Sequence, residues 1–259
     1  MLTASDTAYS IAAIRAMEGE LPEAERLFND PYARIFAAAG EHAAEGTQRF
    51  LSLPFFRDGI RLRTRAIDDF VRQSLDQGLT QFVVLGAGFD ARALRMPEIT
   101  RHNASVFEVD LPAVLEKKRA ILDSAGHNAK KHVAAVPCDF SADFEDILAK
   151  DLERHGFRSG AGAIFVWEGV VAYIDTNAAD RTLRFMVRTG GAGSRLVFDF
   201  GPGIFGSKDA REHVLGAGFT TFEEVGYDTL WRRYMPGEPH ANASFPRLGY
   251  ASVGLRAAQ

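Results

Sequence analysis

Carboxylates and glycines follow several short apolar runs of this 259-residue chain. The run QFVVL leads into the glycine turn Gly86-Ala87-Gly88-Phe89-Asp90, and the run VFEV leads into Asp110. Asp139 and Glu168 follow two further runs. Glycines let a ligand approach the backbone closely, and an acid about 20 residues beyond such a turn can bind both hydroxyls of a ribose. The pattern indicates a site for a ligand that contains a nucleoside.

The residues beside these carboxylates extend the same candidate site. Asp139 can accept a hydrogen bond from an adenine amino group, and Phe140 can pack on the adenine ring. Ligands of open α/β sheets bind beyond the carboxyl ends of the strands, so we expect these groups to meet at one edge. Each acid also has a structural alternative, because a strand-end Asp often caps the next helix. The candidate cofactor-binding residues from this pattern are Gly86, Ala87, Gly88, Asp90, Asp110, Leu111, Asp139, Phe140 and Glu168.

A nicotinamide-dependent oxidoreductase is the alternative enzyme class. The run Gly86-Ala87-Gly88-Phe89-Asp90-Ala91 fits the G-x-G-x-x-A pattern, and Asp110 fits the acid that binds the ribose. Asp90 argues against it, because a carboxylate repels the diphosphate that this turn must hold. The chain also has no Tyr-x-x-x-Lys pair for hydride chemistry. S-adenosylmethionine has no diphosphate, and carboxylates favour its ammonium and sulfonium, so the pattern favours this cofactor.

Methyl transfer from a sulfonium is an in-line displacement that needs a nucleophile ~3 Å from the methyl carbon. A carboxylate acceptor, with a pKa near ~4, is already ionised at neutral pH and needs no general base. A phenol, with a pKa near ~10, needs a base or a strongly polarising site. The catalytic candidates are His213 and His240 as bases and Tyr173 as an orienting group. Both histidines also fit exposed surface positions.

The elements that position these residues alternate along the chain. Helical patterns fill the region up to about Gly78, including an amphipathic helix over 61–75. Strands are predicted at 81–85, 106–110, 132–140, 163–169 and 195–200, with helices from 112, at 144–152, at 175–189 and at 208–215. This alternation predicts a doubly wound parallel sheet. Two strands at 219–225 and 250–255 should form an antiparallel edge pair, whose long polar connection partly covers the active site.

Composition narrows the class of protein. The formal net charge is -4 and no basic run is present, which argues against nucleic-acid binding. The single cysteine, Cys138, excludes an intramolecular disulfide, and no apolar stretch approaches the ~18 residues of a membrane span. The N-terminus lacks the basic and apolar regions of a secretory signal. We therefore expect a cytoplasmic protein with no metal and a small-molecule acceptor, and the oligomeric state stays open.

Five segments together resemble one known family. The runs VVLGAGFDARALRM, VFEVDLPAVLEKK, VPCDF and FVWEGVVAYI, with the upstream RTRAIDD, resemble the leucine carboxyl methyltransferase family. The likeness covers roughly residues 7–200 and is greatest to the bacterial branch related to polyketide carboxyl O-methyltransferases. It implies a class I methyltransferase with a seven-stranded Rossmann-like sheet. It also implies an N-terminal helical cap over 1–78 and a cofactor-binding core over 79–259, joined in one compact unit.

The resemblance also implies roles for individual residues. Gly86 would contact the methionine part of S-adenosylmethionine, Asp110 its ribose, and Asp139 with Phe140 its adenine. Glu168 would line the cofactor site. Arg63, in the R-T-R motif, would pair with the methionine carboxylate, although Arg61, Arg63 and Arg65 cannot all lie on one side of a helix. The implied reaction is O-methylation of a small-molecule carboxyl or hydroxyl group, on a polyketide or another secondary metabolite. The likeness fades after residue 200, where the acceptor site should form.

Overall fold

The structure is a computed structural model that describes residues 4–40, 48–53, 55–128, 130–205, 209–241, 243 and 246–254. Seven strands in this part of the chain form one mixed sheet with the order β3-β2-β1-β4-β5-β7-β6. The strands are β1 (Gln81–Leu85), β2 (Ser105–Asp110), β3 (Val133–Pro137), β4 (Ile164–Trp167), β5 (Arg195–Phe200), β6 (Thr221–Gly226) and β7 (Arg247–Ser252). The first five are parallel, and β7 is antiparallel to both β5 and β6. The predicted doubly wound α/β fold is confirmed.

Helices precede the sheet and connect its strands. The α-helices among the described residues include α1 (Ala4–Ala16), α2 (Ala33–Ala38), α3 (Phe56–Asp76), α4 (Arg92–Arg95), α5 (Pro97–Arg101), α6 (Pro112–Ser124), α7 (Glu145–Arg154), α8 (Thr176–Gly190), α9 (Ala210–Gly216) and α10 (Tyr227–Tyr234). The chain builds outward from β1 to β3 and then returns to β4 on the other side of β1. Such a reversal opens a crevice at the carboxyl ends of β1 and β4, where ligands of this architecture bind.

The long helix α3 packs against one face of the sheet. Its apolar residues recur at helical spacing and lie in one buried cluster with side chains of five strands. Representative members of this cluster are Leu62, Ile67, Phe70, Val84, Val166 and Val197. Helix α3, which the sequence predicted as part of an N-terminal cap, therefore also forms one side of the hydrophobic core. Its packing against the sheet fixes the position of its polar residues.

The C-terminal region corrects one prediction. The predicted antiparallel pair lies at one edge of the sheet, with β6 outermost and β7 between β5 and β6. The strands begin and end away from the predicted 219–225 and 250–255. The connection between them is not simply a polar loop, because it contains α10, whose Tyr227 and Leu230 are buried against α3. This helix was missed because its charged residues conceal an apolar face at positions 227, 230, 231 and 234.

Candidate functional site

The glycine turn after β1 is tightly enclosed. The backbone N–H groups of Gly86 and Ala87 both donate to the carbonyl oxygen of Val109, at 2.8 and 3.0 Å. Gly86 has a φ of 68°, and a Cβ at this position would lie 2.1 Å from Cγ2 of Val170. Neither the backbone conformation nor the space admits a side chain. Glycine therefore lets the loop after β4 close over the turn.

Asp110 joins two backbone segments at this edge. Its Oδ2 accepts from the N–H of Gly88 at 2.7 Å, and its Oδ1 accepts from the N–H of Leu111 at 2.7 Å. Burial raises the pKa of Asp110, and these two N–H donors oppose the rise. A carboxylate offers about four acceptor positions, so this one can still accept from hydroxyl groups. The side chain of Leu111 is 43% exposed beside it and offers an apolar surface.

Asp90 is enclosed by protein groups. It is only 8% exposed, and its carboxylate accepts from both the backbone N–H and the Nη1 of Arg92. The ammonium of Lys118 donates to the carbonyl oxygen of Asp90. These contacts hold the turn in shape, and a direct contact of Asp90 with a cofactor stays a prediction.

Glu168, directly after β4, is surrounded by arginines from three helices. Its Oε1 accepts from Arg15 at 2.6 Å and from Arg63 at 2.8 Å, while its Oε2 accepts from Arg92 at 2.8 Å. The side chain is 7% exposed. Burial alone would raise the pKa of Glu168, but Arg15, Arg92 and Arg63 hold it well below its usual range. The carboxylate is therefore ionised and joins α1, α3 and α4 to the end of the sheet.

Arg63 bridges the ends of two neighbouring strands. Its Nε donates to Glu168 after β4, and its Nη1 donates to Oδ2 of Asp199 in β5 at 2.7 Å. The other carboxylate oxygen of Asp199 accepts from the backbone N–H of Gly169 at 2.5 Å. Nη2 of Arg63 lies 3.9 Å from the position that a Cβ on Gly169 would occupy. Arg63 thus lies at the candidate site, next to the loop after β4.

The other arginines of the R-T-R motif point elsewhere, as helical geometry requires. Arg61 donates from Nε to the buried carboxylate of Glu18 at 2.6 Å. Arg65 donates to Asp69 on the same helix, and its side chain is 36% exposed. The expectation that at least one of the three faces solvent is met by Arg65.

The two residues proposed to flank an adenine differ in exposure. Asp139 is exposed, and its Oδ1 accepts from the N–H and the hydroxyl of Ser141 at 2.9 and 2.6 Å. These hydrogen bonds lower the pKa of Asp139, so it is ionised and available as an acceptor. Phe140 is 8% exposed and packs edge-on against Phe144, with ring centroids 5.3 Å apart. Only a small part of the Phe140 ring is accessible at the edge where Asp139 lies.

The three catalytic candidates lie in different environments. Tyr173 is 60% exposed in a single turn after the Glu168 loop. His213 is buried, with Nδ1 2.6 Å from a carboxylate oxygen of Asp180 and Nε2 3.1 Å from the carbonyl oxygen of Phe205. His240 is exposed, and its ring stacks on Phe55. Both nitrogens of His213 are engaged by protein groups, so this side chain connects structural elements instead of facing a ligand.

Comparison with known proteins decides the family. The family model described as leucine carboxyl methyltransferase matches residues 8–187. The chain belongs to this family. The match begins within α1, includes the glycine turn and every candidate strand end from β1 to β4, and stops within α8.

Relatives support the family assignment over most of the chain. A protein from Frankia alni is 37% identical over 201 residues, covering 75% of this chain and 68% of the relative. One from Streptomyces coelicolor is 34% identical over 246 residues, covering 90% and 78%. Both carry the provisional name of an S-adenosyl-L-methionine-dependent methyltransferase. A solved structure from Thermobifida fusca, provisionally named a methyltransferase, shares the fold with a TM-score of 0.61 and 18% identity, covering 83% and 90%.

The oxidoreductase alternative gains no support from these findings. The family model describes a methyltransferase. The helix that follows the glycine turn, α4, also has only four residues. A dinucleotide fold places its diphosphate at the N-terminus of a longer helix in this position, where the peptide dipoles align.

Three residues of this leucine carboxyl methyltransferase family site escaped the sequence reasoning. Arg15 and Arg92 bind Glu168, and Asp199 binds Arg63. Asp199 carried a usable signal, because it is a strand-end carboxylate like Asp110. The two arginines carried none, since the contacts of each with Glu168 join residues far apart in the chain.

The described residues hold neither a cluster of metal ligands nor a membrane-spanning helix. No group of three or more His, Cys, Asp or Glu side chains in the described ranges could hold a metal ion. No helix among the described residues is long and apolar enough to cross a membrane. Cys138 is buried, and burial together with Asp139 raises its thiol pKa to about 12, so it is not an activated nucleophile.

Proposed function

We propose that this protein is an S-adenosylmethionine-dependent O-methyltransferase that acts on a carboxyl or hydroxyl group of a small molecule. A polyketide or another secondary metabolite is the acceptor class that the family resemblance favours. The observation that carries the proposal is the pair formed by Asp110 and Gly88 at the carboxyl edge of the sheet. It combines an ionisable acceptor with a glycine, where no side chain keeps a ligand from the backbone, as a nucleoside site requires.

The residues at this edge fit the cofactor. Asp110 has acceptor positions left for the ribose hydroxyls, and the exposed side chain of Leu111 can cover one side of an adenine. Asp139 can accept from the exocyclic amino group of the adenine. At Gly88 the nearest heavy atom to the position of an added Cβ would be 3.9 Å away, so a ligand can approach the backbone of the turn at this glycine. These groups lie at the carboxyl ends of the neighbouring strands β1, β2 and β3.

The methionine end of the cofactor fits the cluster around Glu168. Arg63 keeps Nη2 beside the loop after β4, where it can bind a carboxylate. Glu168 and Asp199 hold the other two nitrogens of this guanidinium, so its plane is fixed before any ligand arrives. The ionised Glu168 and Asp199 also create a negative potential that favours an ammonium group.

When bound, S-adenosylmethionine supplies a methyl group on a positively charged sulfur. The protein must orient an acceptor in line with that group and exclude water. Val170 lies directly over Gly86, and Tyr173 is exposed in the turn that follows. We assign these two residues to the boundary between the cofactor and the acceptor.

The available side chains favour a carboxyl acceptor over a hydroxyl. Tyr227 lies near Arg63, Asp199 and Glu168, but burial raises its pKa well above the usual range, so it stays protonated at neutral pH. His213 is engaged by Asp180 and Phe205. An acceptor carboxylate is ionised at pH 7 and needs neither side chain as a base.

A transfer assay tests this proposal. The purified protein is incubated with S-adenosylmethionine carrying a labelled methyl group and with matched panels of aliphatic carboxylic acids, aromatic carboxylic acids, phenols, amines and thiols. Methyl esters release labelled methanol in mild alkali, whereas methyl ethers do not. We expect label in the alkali-labile fraction, and its loss in the Asp110→Ala variant. Label only on nitrogen or sulfur acceptors would contradict O-methylation.

A further inference from the structure

Helix α3 carries a carboxylate with no exposed surface that makes no direct contact with the candidate cofactor site. Asp68 has a relative exposure of 0%. Its Oδ1 accepts from Nε of Arg92 at 2.7 Å and from Nη2 of Arg95 at 2.8 Å, and its Oδ2 accepts from Nη1 of Arg95 at 2.7 Å. Burial alone would raise the pKa of Asp68, but Arg95 and Arg92 lower it, so the carboxylate is ionised.

The two arginines lead to different parts of the fold. Arg92 extends its Nη1 to both Asp90, in the turn after β1, and Glu168, after β4. Arg95 reaches Asp30, at the start of α2, with its Nε 3.7 Å from a carboxylate oxygen. One arginine therefore connects Asp68 to the ligand edge of the sheet, and the other connects it to the N-terminal helices.

Arg92 depends on Asp68 for its orientation. Its side chain is 1% exposed, and its Nη2 is buried without a hydrogen-bond partner among the described residues. A guanidinium presents its donors in one rigid plane, so the contact at Nε fixes where Nη1 points. Loss of that contact would leave a buried cation free to rotate away from Asp90 and Glu168.

We propose that Asp68 is a positioning residue for the cofactor site and acts through Arg92. It holds Arg92 so that the turn after β1 and the loop after β4 keep the separation that a ligand between them requires. The inference rests on the proposed function, because it concerns the same site. Asp68 itself touches neither the cofactor nor the acceptor.

Three variants separate this role from a merely structural one. Arg95→Met removes the connection from Asp68 through Arg95 to the N-terminal helices and keeps the contact between Asp68 and Arg92. Asp68→Asn with Arg95→Met removes one negative and one positive charge together, so the buried charge stays balanced while Arg92 loses the carboxylate at its Nε and keeps Asp90 and Glu168. Asp69→Asn is the matched control on the same helix, because Asp69 pairs with Arg65 and Arg72 in a half-exposed position away from the site.

The measurement is the affinity for S-adenosylhomocysteine by calorimetry, beside thermal unfolding of each free variant. We expect Arg95→Met and Asp69→Asn to keep the wild-type affinity within about twofold, even where they melt earlier. The double variant should bind about tenfold more weakly, since the hydrogen bond at Nε of Arg92 then has a neutral acceptor in place of a carboxylate. Equal affinity in the folded double variant and in Arg95→Met would overturn the inference. If the wild type itself did not bind, the proposed function would fail instead.

A wild-type measurement covers the case in which the double variant does not fold. The side-chain Nε–H signals of the arginines are followed by nitrogen NMR while S-adenosylhomocysteine is added. We expect the Arg92 signal to shift and to gain protection from solvent exchange, and the exposed Arg72 signal to stay in place. An Arg92 signal that does not respond to a saturating ligand would overturn the inference.

Discussion

Asp110 accepts a hydrogen bond of 2.7 Å from the backbone N–H of Gly88, which joins the end of β2 to the turn after β1. The two residues are neighbours only because β1 and β2 run parallel with Leu85 beside Val109. The contact places an acceptor beside Gly88, where a Cβ would have no heavy atom nearer than 3.9 Å. The proposed nucleoside site depends on this relationship.

Replacement of Asp110 tests the ribose assignment. Asp110→Ala should weaken binding of S-adenosylhomocysteine about ten- to a hundredfold, because each hydrogen bond to a charged group contributes ~1.5–3 kcal/mol. Asp76→Ala is the control, since Asp76 is exposed at the end of α3, which leads into the amino end of β1. Calorimetry on both folded variants measures the effect. An unchanged affinity in Asp110→Ala would leave Asp110 only a structural role.

Replacement of Arg63 tests the contact with the methionine carboxylate. Arg63→Lys keeps the charge but loses the planar fork that spans Glu168 and Asp199, so the affinity should fall. Arg63→Ala should reduce it further. The control is Arg65→Ala, whose side chain is 36% exposed on the same helix. An analogue of the cofactor without its carboxylate should bind the wild type poorly and lose little more in Arg63→Ala. If the two losses simply add, Arg63 does not bind that carboxylate.

Replacement by alanine should destabilise the protein more at Gly86, in the turn after β1, than at Gly78, which follows α3. At Gly78, where φ is 91°, a Cβ would face open space. Gly78→Ala should therefore lower the unfolding free energy only by the ~1–2 kcal/mol that a left-handed backbone conformation costs a residue with a side chain. At Gly86 the φ of 68° is similar, but a Cβ would also overlap Val170. This overlap should lower the unfolding free energy of Gly86→Ala by a further ~1–3 kcal/mol. Denaturant unfolding compares the two, and adding Val170→Ala should recover part of the second loss. Equal losses for both glycines would mean that the turn is not packed under Val170.

The cluster around Glu168 predicts a dependence of stability on pH. Its pKa is held well below the usual value because, against the effect of burial, Arg15, Arg92 and Arg63 favour the charged form. Such a group stabilises the fold fully above its unfolded pKa of ~4.3, and this contribution is lost as the pH falls through the folded value. The unfolding free energy should therefore fall more steeply below pH ~4 in the wild type than in Glu168→Gln.

The difference between those two proteins should stay constant above pH ~6, where Glu168 is ionised in both the folded and the unfolded state. Glu116→Gln, a change at an exposed glutamate of α6, should follow the wild type at every pH. Parallel curves for the wild type and Glu168→Gln below pH ~4 would show that the arginines do not hold this carboxylate in its charged form.

Local patterns in the sequence were sufficient for most of the fold. The β-branched runs gave β1, β2, β4 and β5, because buried parallel strands are continuously apolar. Helix ends followed side-chain chemistry: Gly78 takes a φ of 91° just after α3, and Asp175 accepts from the N–H of Ala178 at the start of α8. α10 was missed because its apolar positions are few and lie among charged ones.

The candidate site likewise contains residues that local sequence patterns identify and contacts that they do not. Gly86 and Asp110 could be found because each directly follows a strand, and the order of strands brings them together. Arg63 was named from its motif, but its contact with Glu168 could not be predicted, and neither could that of Arg15, since these pairs are 105 and 153 residues apart in the chain. His213 looked like a candidate base because sequence alone does not show that Asp180 and Phe205 enclose its ring. The site residues as a set remain a prediction.

The central claim is that the edge formed by Gly86, Gly88 and Asp110 binds S-adenosylmethionine. Thermal unfolding with S-adenosylhomocysteine, and separately with NAD, tests it most directly. Binding to the folded state alone adds ~2.7 kcal/mol of stability when the ligand is at 100 times its dissociation constant. We predict a higher melting temperature with S-adenosylhomocysteine, a loss of that shift in Asp110→Ala, and no shift with NAD. A shift with NAD and none with S-adenosylhomocysteine would contradict the account.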